Sequence, residues 1–373
     1  MRRVLLILLV ATAVAQSRPR VQISNTKENL RGVSVVSRQV AWASGTHGTY
    51  LRTTDGGQTW LSAQVPEAAS LDFRGVVAFS ADDVYLMSSG PGEQSRVYHT
   101  IDAGVHWNLQ FTNSNPKGFF DSIAFWDSKH GIVLGDPIPD ESGKLKFEVL
   151  LTEDGQTWHQ VPSSQLPDAL AGEGAFAASN SCVAVNNDGF NTDLWFATGG
   201  KVARVFHSPN AGKDWEVYDT PILHGPDSAG IFSIAFRSPQ DGVIAGGDYK
   251  HPNDDGPNLA FTHDGGKTWD LTTLHPLAYF SAVAYDRKVN EDARHERRDQ
   301  VKAELKGRSI EAKDFPERLF IVGQDFVFDF RPPNNPSRVN GKRKDGLAFN
   351  AISPFPEGGA LVVGPKGTIA YIP

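Results

Sequence analysis

Two carboxylates, Asp121 and Glu173, and two guanidinium groups, Arg31 and Arg74, recur at one position of a repeated phrase, the polar entry to a short apolar run. Two carboxyls about 5–10 Å apart across an open channel could serve as acid and base in hydrolysis of a glycosidic bond. The same four groups could instead neutralise one another as a mixed-charge lining. The sequence leaves both readings open. Asp136, Trp195, Asp248 and Tyr249 join the candidate set, because they lie on or beside the long links 136–144, 186–201 and 247–258. Trp195 reads either as a binding aromatic or as a lid on the core.

The elements that must position these groups come from a repeat. Four segments follow the pattern hydroxyl, any residue, Asp or Asn, any residue, Gly, two residues, Trp: they are centred on Asp55 with Trp60, Asp102 with Trp107, Asn210 with Trp215, and Asp264 with Trp269. A fifth, Asp154 with Trp158, is one residue shorter, and the tryptophans recur at intervals of 47, 51, 57 and 54 residues. Such a period suits four-stranded units. The carboxylate and hydroxyl can bond the amides of their own turn, glycine permits the reversal, and the indole is buried at the start of the next strand. These Asp residues are therefore read as fold staples, not as catalysts or metal ligands.

Seven strand starts precede or follow the boxes: 31–35, 74–79, 121–125, 173–176, 232–236, 280–285 and 349–353. The count predicts an all-β, seven-bladed β-propeller of four-stranded antiparallel blades. The last repeat lacks a fourth strand, and the segment Val21 to Ser24 is a spare one, so the N-terminal strand is expected to close the ring. The boxes would then join third and fourth strands on one face. Arg31, Arg74, Asp121 and Glu173 would surround the channel mouth on the other, where a ligand site is expected. A charged segment, 286–318, interrupts the sixth repeat and is expected to be partly helical: Asn290 and Gly307 suit its two ends.

At the N-terminus, Arg2 and Arg3 precede an apolar run from Val4 to Ala15 that ends in Ala13-Val14-Ala15. This is the pattern of a signal peptide spanning 1–15, which leaves 16–373 as one exported propeller domain, periplasmic or secreted. No later stretch is long and apolar enough to span a membrane. The single Cys182 excludes a disulfide framework, and a net charge of −7 without a basic stripe argues against nucleic acid. No cofactor fingerprint, nucleophile elbow or metal-ligand spacing occurs. The clusters 253–256 and 186–189 are explained by turn chemistry, so no metal is expected.

The boxes, the blade count and the closing strand resemble the BNR/Asp-box propellers. Within them the chain is most similar to exported proteins of the photosystem II stability/assembly factor kind, WD40/YVTN/BNR-like in repeat. The phrases carrying this are Phe125-Trp-Asp-Ser-Lys-His-Gly131, Leu134-Gly-Asp-Pro137, Gly172-Glu-Gly-Ala-Phe-Ala-Ala178, Ala229-Gly-Ile-Phe-Ser-Ile-Ala-Phe236 and Gly246-Gly-Asp-Tyr249. The resemblance implies a non-catalytic, monomeric scaffold that holds a protein partner during assembly of an envelope or membrane complex. The arginine-rich surface associated with photosynthetic members has counterparts only in Arg31 and Arg74. The alternative is a secreted carbohydrate-active enzyme, sialidase-like or otherwise, or a protein binding a glycan or small ligand. The Arg-Ile-Pro motif of sialidases is absent from the chain.

Overall fold

Successive side chains of a strand point to opposite faces, which sends neighbours into different layers. In the strand Ala41–Gly45, Ala41 and Ala43 pack with Leu361, Val363 and Ile369, while Trp42 points the other way against Phe73, Leu86 and Tyr98. The same division repeats around the molecule, so the core is a series of layers between successive sheets. The structure is a computed structural model and describes residues 19–272, 278–287, 318–323, 327–330, 337–338 and 348–373.

The sheets are antiparallel meanders arranged as a propeller. Leu30–Val35, at the inner edge of the first sheet, packs beside Asp72–Ala78 on one side and Ala351–Pro354 on the other. The expectation of seven four-stranded blades is corrected: the described residues form six four-stranded sheets, and the strands of the remaining repeat lie in a six-stranded one. There Glu173–Gly174 pairs with Gly199–Gly200, which pairs with Ala229–Phe236 ahead of Gly242–Asp248, Leu259–Thr262 and Asp270–Leu271. Close backbone approach makes this addition feasible. A Cβ on Gly199 would sit 2.8 Å from Gly230 Cα, and Gly230 itself has φ of +153°.

Glu173 does not open the inner strand of the fourth repeat; that strand is Val183–Asn187, and Glu173–Gly174 reaches across to the next sheet. Trp195, expected in a long loop, lies in the strand Thr192–Ala197.

The boxes join third and fourth strands as hydrogen-bonded turns. Thr53 Oγ1 accepts from Gly57 N at 2.9 Å, and Asp55 Oδ1 accepts from Thr59 N at 2.9 Å and from the Thr53 hydroxyl. Asn210 takes the same place, accepting from Asp214 N at 2.9 Å. The strand Arg20–Gln22 pairs antiparallel with Thr368–Ile372, and Gln22 Oε1 accepts from Trp60 Nε1 at 2.9 Å. The signal-peptide segment and 288–317 lie outside the described residues. No helix among the described residues is long and apolar enough to cross a membrane.

Candidate functional site

Four inner strands carry a register shift near their start, and each shift skips one residue. Leu30 pairs with Gly45 and Gly32 with Ser44, omitting Arg31; Phe73 and Gly75 flank Arg74 in the same way. Phe120 and Ser122 flank Asp121, and Ile231 and Ser233 flank Phe232. A bulged residue is released from the ladder and its side chain is re-aimed. All four line one cavity of about 480 Å³ at the channel mouth. Ser281 and Asn350, which precede the inner strands of the last two repeats, line it too.

The segment from Ala175 to Ala178 runs along the cavity and is held at two points. Ala175 N donates to Asp136 Oδ1 at 2.9 Å, and Arg74 Nη1 donates to Ala177 O at 3.4 Å. Phe176 between them stacks on Phe232 with ring centroids 3.9 Å apart. Tyr279 meets Phe232 edge-on at 4.8 Å, and the half-exposed Tyr249 does so at 6.1 Å. These rings form an aromatic wall.

The charged groups divide into satisfied and unsatisfied sets. Asp72 bridges the two arginines, 2.9 Å from Arg74 Nε and 3.3 Å from Arg31 Nη2. Asp121 is only 1% exposed, and its Oδ2 has no hydrogen-bond partner among the described residues. Burial pushes its carboxyl well above the ordinary range; Asp136 and Glu148 push it further, while Arg74 opposes them. Burial also raises Asp136 against the bond from Ala175, and raises Glu148, which accepts from Asn113 Nδ2 at 2.9 Å.

Of the residues expected at the site, Arg31, Arg74, Asp121, Asp136 and Tyr249 line this cavity. The other three are placed elsewhere. Glu173 Oε1 accepts from Arg204 Nε at 3.0 Å and from Thr198 Oγ1 at 2.7 Å, and Oε2 accepts from Leu170 N at 2.8 Å. Trp195 is fully buried, stacked 3.7 Å from Phe236 with Nε1 donating to Gly265 O. Asp248 is buried, and its burial is outweighed by bonds from His251, Ser228 and Lys250 N that hold its carboxyl below the usual range. Phe176, Phe232 and Tyr279 complete the wall, though their residue type alone reads as core. Among the described residues no group of three or more His, Cys, Asp or Glu is arranged to hold a metal.

No protein-family model matches the chain. It is similar to the photosystem II assembly lipoprotein Ycf48 of Trichormus variabilis, 28% identical over 176 residues that cover 47% of this chain and 41% of that protein. It is also similar to the chloroplastic photosystem II stability/assembly factor HCF136 of Arabidopsis thaliana, 23% identical over 266 residues, 61% of this chain and 62% of that one. The matches thus span less than two thirds of either relative. Among solved structures, Ycf48 bound to a D1 peptide superposes with a TM-score of 0.63 at 14% identity, covering 95% of this chain and 96% of that one. At that identity the likeness establishes the propeller fold.

Proposed function

We propose that this chain is a non-catalytic, exported propeller scaffold that binds a segment of a protein partner at the channel mouth and assists assembly of an envelope or membrane complex. The observation that carries the reading is the cavity itself. Four of its lining residues, Arg31, Arg74, Asp121 and Phe232, are released by the inner strands from pairing, so they shape this surface without entering the sheet ladders. The similarity to photosystem II assembly factors, one of which has been solved with a peptide, supports the same direction. Export rests on the residue pattern of 1–15.

The glycosidase alternative is disfavoured by Glu173. Both its oxygens are engaged by buried partners, and it is absent from the cavity that Asp121 lines.

The test is cross-linked affinity capture from native envelope extract with the mature chain and with an Arg31→Glu/Arg74→Glu variant whose near-ultraviolet dichroism matches the parent. A complex subunit captured by the parent and lost by the variant is expected. Equal capture by both would remove the channel mouth from consideration.

A further inference from the structure

The cavity wall is aromatic on one side and acidic on the other, and its cations are already engaged. Arg31 and Arg74 share Asp72, and Arg74 also holds Ala177 O. What remains without a partner among the described residues is Asp121 Oδ2, almost wholly buried and on the cavity lining. Beside it Asp136 presents a carboxyl fixed through one oxygen by Ala175 N. An anion would meet two acidic groups here while the arginines stay bound to Asp72. An uncharged group would leave the aromatic faces without the attraction they exert on a cation. An ammonium or guanidinium head would supply the missing partner through a charge-assisted bond, with its stem and charge against the rings.

We propose that the cavity takes a lysine or arginine side chain of the bound segment, its cationic head held by Asp121 and Asp136 and its stem packed on Phe176, Phe232 and Tyr279. This rests on the reading of the channel mouth as the place where a partner segment docks. Binding is coupled to a proton. Before a cation arrives, burial, Asp136 and Glu148 favour the protonated Asp121, and Arg74 opposes them. A cation favours the ionised carboxylate, so its arrival expels the proton and its affinity rises with pH.

The experiment titrates Nα-acetyl-lysine methylamide, Nα-acetyl-arginine methylamide and the uncharged Nα-acetyl-norleucine methylamide into the labelled mature chain at pH 6 and pH 8, following amide resonances by NMR. Saturable shifts at Ala175 and Phe176 are expected with the two cationic probes, tighter at pH 8 and at least about tenfold tighter than with norleucine. Asp121→Asn should lose that preference and its pH dependence, with a dispersed spectrum as the control for folding. Asp136→Asn, which keeps an acceptor for Ala175 N, should weaken the cationic probes as well. Norleucine binding as tightly as lysine, or Asp121→Asn binding like the parent, overturns the proposal. A captured partner segment that binds equally well with its basic residues replaced by norleucine also overturns it, while leaving the docking reading intact. Probe binding without any captured partner has the opposite meaning: the cation site stands and the docking reading falls.

Discussion

The Arg204 guanidinium clamps the Glu173 carboxylate: its Nε lies 3.0 Å from Oε1 and its Nη2 2.5 Å from Oε2, with the Glu173 side chain fully buried. Removing one member strands the other charge in a dry interior. Glu173→Ala is therefore expected to destabilise the fold by about 3–5 kcal/mol in urea denaturation. A double replacement, Glu173→Leu with Arg204→Met, should recover much of that loss. A single variant as stable as the parent would mean that the pair has another source of support.

Asp121 sets a different expectation, one of pH. Its carboxyl titrates higher in the folded chain than in the unfolded chain. Its contribution is thus greatest below the ordinary aspartate range and declines as pH rises toward the folded value. Asp121→Asn removes the ionisation, so the variant should melt at a higher temperature than the parent at pH 8 and differ little at pH 4. Parallel melting curves across this range would count against the buried, unpartnered carboxyl.

The first box works in the reverse sense. Thr59 hydroxyl and amide bonds hold the Asp55 carboxylate down to about 2, so its contribution is present above the ordinary value of 3.8 and fades as pH falls through about 2. Asn210 fills the same place in the fourth box with an amide. Asp55→Asn should accordingly fold and show a flatter decline of melting temperature between pH 4 and pH 2. Asp55→Ala should melt lower than the parent at neutral pH.

Removal of residues 1–22 takes away the partner of Thr368–Ile372 and the acceptor of the Trp60 indole. The exposed strand edge should broaden the thermal transition and produce oligomers in size-exclusion chromatography. A sharp, monomeric transition at the parent temperature would show that the pairing of Arg20 with Tyr371 is dispensable.

The boxes and the polar starts of the inner strands made the propeller and the cavity position of Arg31, Arg74 and Asp121 legible in the sequence, because these signals are local and recur at the same offset. The expectation of seven four-stranded blades failed at the junction of the fourth and fifth repeats. There Glu173 imitates a strand start, yet the glycines at 199 and 230 draw its strand onto the next sheet, a long-range contact that local pattern does not encode. Phe232 occupies the position of Arg31 and was still missed, since a phenylalanine ahead of an apolar run reads as core. Trp195 reads as a loop residue because the turn residues 186–191 mask the strand that follows. The unpartnered state of Asp121 Oδ2 depends on neighbours brought in from other repeats, and no spacing rule reports it.

The skipped residues have a consequence for how this surface can change. A side chain at position 31, 74, 121 or 232 has no cross-strand neighbour to match, so replacing it leaves the pairing register of its sheet untouched. Each blade concerned thus offers one interchangeable slot facing the axis, and two arginines, an aspartate and a phenylalanine are the present contents. The chemistry of the cavity can drift, slot by slot, while the hydrophobic layers that keep the ring together stay as they are.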